Sequence, residues 1–117
     1  MHELALTEKM FKIVLDEARS HQARRVTKVT ISIGELSGIV PGSVETYFQL
    51  LAKGTVAEGA NLEFNRVSAR LFCIHCQKEF TKKAADFTCP DCGNLARLTE
   101  IGQGCLVESM EVDNDEN

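Results

Sequence analysis

Two Cys-x-x-Cys pairs constrain this chain more than any other feature of its sequence. Cys73 and Cys76 form the first pair, and Cys89 and Cys92 form the second after twelve intervening residues. Each pair places two thiolates on one tight turn, and the segment between the pairs can fold back so that four sulfurs converge. Zinc accepts four thiolates tetrahedrally, and such a closed site stabilises a fold rather than catalysing a reaction. The spacing therefore predicts a structural zinc site.

Three other uses of these cysteines stay open. They could form two disulfides, act as a redox dithiol, or hold iron for electron transfer, since residues 89–93 resemble a rubredoxin knuckle. The first 25 residues contain many charged side chains and no long apolar run, so we expect neither a signal peptide nor membrane insertion. A cytoplasmic protein is then expected, and there paired cysteines more often bind metal than form disulfides.

The charge distribution bears on what the chain can bind. The formal net charge is −4, and residues 100–117 hold six acidic side chains and no lysine or arginine. Four thiolates around zinc add about −2 to the cysteine segment. The chain therefore lacks the basic stripe that phosphate binding requires, which disfavours a zinc-ribbon adaptor that binds nucleic acid. Phosphate-loop and nucleophile-elbow motifs are also absent, so no enzyme is expected.

Hydrophobic periodicity predicts two helices and three strands. A helix over residues 3–22 has a wide apolar face comprising Leu4, Leu6, Met10, Phe11, Ile13, Val14, Leu15 and Ala18. Residues 26–35 alternate as a half-buried strand. Ser43 is a candidate N-cap for a second helix that ends near Gly54.

The remaining apolar segments predict two further strands. Residues 61–72 form a long strand whose apolar phase changes midway, which indicates a bulge or a strand that leaves one sheet for another. In a last strand over 105–113, Leu106, Met110 and Val112 are expected on one face. Val107 is expected on the other face.

This order of elements predicts an α+β fold with a small three-stranded sheet, two helices on it, and an inserted zinc-ribbon module with four cysteine ligands. Residues 1–70 and 100–117 are expected to form an α/β domain. Residues 71–99 are expected to form a zinc-binding domain, in which the metal supplies the folding energy.

The N-terminus has the only other unusual pattern, Met1-His2-Glu3. A terminal amine one residue before an imidazole can chelate a metal through the amine, the ionised His2 amide and the His2 ring. Such an all-nitrogen planar set suits Ni(II) or Cu(II). The plain alternative is that His2 is a polar residue at a frayed end, and the dipeptide alone does not exclude it.

Three other residues have simple interpretations. His75 is expected to face solvent in the first cysteine turn rather than bind the metal. His21 lies at the end of the first helix, where a cation suits the helix dipole. Cys105 is expected to be a small core residue.

Taken together, these features resemble the HypA/HybF family of hydrogenase nickel incorporation proteins. The matching residues are Met1-His2-Glu3, the segment 53–60, the two cysteine pairs, and Ser109 to Val112. They run in the same order over essentially the whole chain.

The resemblance implies a nickel metallochaperone. Nickel would be bound by the His2 imidazole and by backbone nitrogens of Glu3 and Met1. Zinc would be held by the two cysteine pairs. The implied partners are a HypB-type GTPase and the large-subunit precursor of [NiFe] hydrogenase, and some members also serve urease. Some members place a histidine directly after the second pair, whereas this chain has Gly93.

Overall fold

The computed structural model describes residues 2–83 and 85–114, with only the backbone of His2. Met1 lies outside the described residues. The elements, in chain order, are α1 (His2–Ser20), β1 (Arg25–Gly34), α2 (Pro41–Ala52), β2 (Asn61–Val67), β3 (Arg70–Cys73), β4 (Lys78–Thr81), β5 (Arg97–Leu98) and β6 (Cys105–Asp113). In the described ranges, neither helix is long and apolar enough to cross a membrane.

The larger sheet has the strand order β2-β1-β6 and carries both helices on one face. β1 is parallel to β2 and antiparallel to β6. Val14, Ile31 and Phe48 are fully buried in the shared core. The rings of Phe11 and Phe48 meet edge to face, with centroids 5.3 Å apart. The predicted α+β fold is therefore confirmed.

Helix α1 buries a narrower stripe than its sequence predicts. Met10, Val14 and Ala18 are buried against the sheet, as expected. Leu4 and Ile13, which were expected on the same face, are 41% and 50% exposed. A helix on a flat sheet buries one stripe, so apolar residues on its flanks stay in solvent. The prediction for Leu4 and Ile13 is wrong.

Helix α2 begins two residues before the predicted N-cap. Its cap is Val40, which makes no side-chain capping hydrogen bond, and Pro41 opens the first turn. Proline suits this position because its missing N–H would have no helical partner there. The Ser43 N-cap prediction is therefore wrong. The prediction that this helix ends near Gly54 is confirmed, because the helix stops at Ala52 and Gly54 follows with φ of 78°.

The long strand predicted over residues 61–72 is two strands in two sheets. β2 ends at Val67 beside Gly34 of β1, and β3 begins at Arg70 in the second sheet. The phase change in the sequence therefore marks a change of sheet. The second sheet has the order β4-β3-β5. It belongs to residues 70–98, which we call the cysteine module.

Strand β6 spans the predicted residues, but its faces differ from the prediction. A register shift separates the pairs Thr30↔Ser109 and Ile31↔Val107. This bulge reverses the alternation, so Val107 packs on the core while Leu106 is 57% exposed. The predicted faces for Leu106 and Val107 are therefore both wrong.

The joint between the cysteine module and the larger sheet is held by a tight backbone contact between the connecting segments and by a half-buried ion pair. A Cβ added at Gly102 would lie 2.5 Å from the Cα of Ala69, so the chain passes too closely for any side chain. Lys82 Nζ lies 2.9 Å from Glu35 Oε2, and the Lys82 side chain is only 5% exposed. Glu35 Oε1 also accepts the backbone N–H of Ala69 at 2.8 Å.

These contacts favour the ionised form of the Glu35 carboxylate. The Ala69 N–H and then Lys82 lower its pKa below the ordinary value. A lowered folded-state pKa means that the stabilisation is complete above the ordinary carboxylate pKa. It is lost as the pH falls through the folded-state value. The Glu35 contribution to the joint is therefore complete at neutral pH and is lost in acid.

We expect Lys82→Met to loosen this joint without removing metal from the module. The substitution leaves the Glu35 carboxylate without a cationic partner, and we expect the melting temperature to fall by roughly 5 °C. Small-angle scattering should then show a broader range of module orientations. Lys83→Met is the control, because Lys83 is exposed. Equal melting temperatures for the two variants would show that the ion pair does not hold the joint.

Candidate metal centre

The four cysteines predicted as zinc ligands converge at one end of the cysteine module. The four Sγ atoms all lie within 4.8 Å of one another. Cys73 and Cys92 have sulfurs 3.5 Å apart, and those of Cys76 and Cys89 are 3.8 Å apart. Four thiolates about 2.3 Å from a central ion would be separated by about 3.8 Å in a tetrahedron. The donor set therefore fits one tetrahedral metal ion.

The two cysteine pairs adopt the same turn, although their sequences differ. The N–H of Gln77 donates to the carbonyl of Cys73 at 2.8 Å, and the N–H of Gly93 donates to that of Cys89 at 2.9 Å. Both donors have positive φ, 55° for Gln77 and 76° for Gly93. Glycine adopts this conformation at little cost, whereas glutamine does so rarely. The sequence signals the second turn through Gly93 but gives no such signal for the first.

Backbone and side-chain N–H groups also point at the sulfurs. The Cys76 N–H donates to Cys73 Sγ, and the Asn94 side-chain amide donates to Cys92 Sγ, both at 3.4 Å. Such hydrogen bonds orient thiolate ligands and offset their negative charge. Cys73 and Cys89 are buried and Cys92 is exposed, so the site lies at the surface of the module with one side open to water.

Cys76 holds its proton more tightly than Cys89 and Cys92 hold theirs. Hydrogen bonds with Cys92 and then Cys89 raise the pKa of Cys76 to about 12. The backbone N–H of Asn94 leads the interactions that lower the pKa of Cys92. Burial opposes ionisation of Cys89, but hydrogen bonds led by the backbone N–H of Cys92 lower its pKa. A metal ion must displace the Cys76 proton, so metal binding weakens as the pH falls.

His75 and Cys105 lie where the sequence predicts them. His75 is exposed in the first turn, and the four-sulfur cluster contains no histidine among the described residues. Cys105 packs against the core of the larger sheet, with its Sγ 3.9 Å from Met10 Sδ. Burial raises the pKa of the Cys105 thiol, so it stays protonated at neutral pH.

The predicted nickel ligands are placed only in part. Helix α1 begins at His2, so the backbone nitrogens of His2 and Glu3 belong to its first turn. The Glu3 carboxylate accepts its own backbone N–H and the N–H of Val40, and these bonds lower its pKa. The N-terminus of α1 is thereby held beside that of α2. The Met1 nitrogen and the His2 side chain lie outside the described residues.

Sequence comparison places the chain in one family along its whole length. A family model described as "Hydrogenase/urease nickel incorporation, metallochaperone" matches residues 1–112. The chain is 41% identical to a hydrogenase maturation factor HypA of Caldanaerobacter subterraneus subsp. tengcongensis, covering 97% of this chain and 100% of the relative. A protein of the same name from Aquifex aeolicus is 36% identical, covering 98% of this chain and 100% of the relative.

Solved structures share the fold. A solution structure of a HypA protein superposes with a TM-score of 0.77 at 23% identity, covering 98% of both chains. The solution structure of the Ni metallochaperone HypA from Helicobacter pylori gives 0.72 at 22% identity, covering 97% of this chain and 98% of that one. From the family match and the full-length relatives, the chain belongs to the HypA family of hydrogenase and urease nickel incorporation metallochaperones, which are maturation factors rather than enzymes.

Proposed function

We propose that this chain carries Ni(II) at its N-terminus and delivers it to the large-subunit precursor of a [NiFe] hydrogenase, together with a HypB-type GTPase. Urease maturation proteins are proposed as further partners. The His2 imidazole and the backbone nitrogens of Met1, His2 and Glu3 are the proposed nickel donors. The proposal rests on the family membership of the chain and on its Met1-His2-Glu3 sequence.

One structural observation supports the nickel site most directly. Helix α1 begins at His2, and the first N–H groups of a helix have no carbonyl partner within it. The His2 nitrogen can therefore lose its proton to a metal without breaking a helical hydrogen bond. Nickel binding by the Glu3 nitrogen has a cost, because its N–H is bonded to the Glu3 carboxylate.

The proposed donors make nickel binding sensitive to pH. A terminal amine has a pKa of about 7.7–8.0 and must lose its proton before it can bind nickel. The His2 amide must lose a second proton. Nickel affinity is therefore expected to rise with pH through this range, and acidification favours release of the metal to an acceptor.

We propose zinc as the resident metal of the four cysteines and a division of labour between two domains. Residues 71–99 are the proposed zinc domain, and residues 1–70 and 100–117 the proposed nickel domain. The tetrahedral spacing of the four sulfurs supports this assignment. A set of four thiolates suits zinc, whereas planar nitrogen donors suit Ni(II), so ligand type keeps the two metals apart.

Metal analysis of two forms of the chain tests the proposal. The chain with a free N-terminus should contain one zinc and bind one nickel tightly in calorimetric titration. The same chain with a short N-terminal extension should keep its zinc and lose the tight nickel site, because the amine no longer precedes His2. Equal nickel binding by the two forms would place nickel elsewhere, and a red, iron-containing protein would refute zinc.

A further inference from the structure

Strand β6 forms an open edge of the larger sheet. Among the described residues, β6 pairs with β1 alone. The Asp113 carbonyl faces β1, where it accepts the Arg24 N–H, and the Glu111 carbonyl accepts the Thr27 hydroxyl on the same side. Successive residues of a strand direct their backbone N–H and C=O groups to opposite sides. The backbone groups of Met110 and Val112 therefore point away from β1, at the open edge.

A groove runs along this edge beneath helix α1. Its volume is about 530 Å³, and its walls include Ile13 and Glu17 of α1 and His21 in the turn that follows the helix. Val107, Met110 and Val112 of β6 line the other side. Ile13 is half exposed because nothing in the described chain lies beneath it. A fourth strand paired with β6 would cover this side chain and satisfy the open backbone groups together.

The charge of the edge decides between possible occupants. β6 contains Glu108, Glu111 and Asp113 and no basic residue, and none of the described residues lining the groove is a lysine or arginine. Lys28 of β1 offsets only part of this charge, with its Nζ 4.0 Å from Glu111. Glu17 adds a further carboxylate to the helix wall. A second copy of β6 would bring two acidic strands together, which costs free energy. A strand with basic side chains would instead be attracted.

We propose that the β6 edge binds an extended segment of a partner protein in which apolar side chains alternate with lysine or arginine. The segment adds a fourth strand to the sheet. Its apolar side chains cover Ile13 beneath α1, and its basic side chains face the carboxylates of β6. Backbone pairing supplies affinity and the alternate side chains supply specificity, as in other strand-addition complexes.

This docking surface leaves the N-terminus accessible. Ile13 lies eleven residues beyond His2 along α1, which corresponds to about 17 Å of helix, and Glu17 lies about 22 Å away. A partner bound at the groove therefore does not cover the first turn of α1. Strand addition at β6 is independent of where nickel binds.

Three capped heptapeptides provide the test. In the first, lysine alternates with valine; in the second, glutamate replaces lysine; the third has the lysine sequence with alternate backbone nitrogens methylated. We expect the lysine peptide alone to bind and to shift the amide resonances of Val107 to Val112 in the full chain. Binding of the glutamate peptide would refute the charge argument, and binding of the methylated peptide would refute strand addition.

Protein variants locate the site. Ile13→Lys and Glu17→Lys should each weaken binding of the lysine peptide by about tenfold or more, equivalent to about 1.4 kcal/mol. Leu50→Lys on α2 and Glu8→Lys on the exposed side of α1 are the matched controls, since both residues are exposed and lie outside the groove. Equal affinities for all four variants, or a peptide-free chain that sediments as a dimer through β6, would overturn the proposal.

Discussion

We expect His2→Ala to abolish tight nickel binding while leaving the fold intact. The variant loses the imidazole that closes the chelate ring, and the remaining backbone nitrogens form a weaker site. A fall in nickel affinity of about 100-fold or more is expected, since even residues that only support a metal ligand contribute 10–100-fold. Calorimetric titration at pH 8 on protein with a free N-terminus measures the effect.

Two other histidines of the chain provide controls for this variant. His21→Ala removes an exposed imidazole at the far end of α1, where Nδ1 lies 3.0 Å from the Glu17 carbonyl. His75→Ala removes one beside the cysteine ligands. Both variants should bind nickel like the parent chain. A loss of nickel in either of them, or a loss of zinc in His2→Ala, would contradict the separation of the two metals.

We expect Cys76→Ala to release zinc and to unfold the cysteine module. With three thiolates the tetrahedral site is incomplete, and a module of this size buries too little apolar surface to fold without metal. Helices α1 and α2 and the larger sheet should survive, because their core lies outside the module. Elemental analysis, together with amide resonances assigned in both sheets, measures the two outcomes.

Cys105→Ala is the matched control for this substitution. Cys105 packs beside Met10 in the other sheet and belongs to no metal-binding cluster among the described residues. Its removal deletes one half-buried thiol, so one zinc per chain and a nearly unchanged melting curve are expected. A Cys76→Ala variant that keeps a full zinc equivalent and disperses its module resonances normally would show that the metal is not structural.

Much of the metal centre follows from local sequence spacing. The two cysteine pairs predict the tetrahedral cluster because each pair lies on one short turn, which holds its two sulfurs close together. The structure brings all four sulfurs together. The order of the long elements also follows, since the apolar periods of α1, β1 and β6 are strong. The change of sheet after Val67 is visible in the sequence as a shift in apolar phase.

Features that depend on distant parts of the chain could not be predicted. The place of β6 in the sheet and the bulge opposite Thr30 arise from pairing between residues about 80 positions apart. The exposure of Ile13 depends on which strand forms the edge of the sheet beneath α1, and the sequence of the helix carries no information about that. The Lys82–Glu35 ion pair joins two residues 47 positions apart, and neither has an unusual neighbourhood in the sequence.

The insertion of the cysteine module between β2 and β6 has a consequence for the order of folding. β2 and β6 flank β1, so the chain must leave and re-enter the sheet about 10 Å apart, two strand spacings. Residues 68–104 lie between them. If this stretch were disordered, β6 would have to find β1 across a 37-residue loop.

A module already folded around its metal leaves only residues 68–69 and 99–104 to be ordered when the sheet closes. Loop-closure entropy then favours sheet completion by about 1 kcal/mol relative to the disordered stretch. Strand β6, which follows the module in the chain, thus closes the sheet most readily after a metal has been captured. Metal capture by the cysteine module is therefore expected to speed completion of the larger sheet, although the two parts of the chain have separate cores.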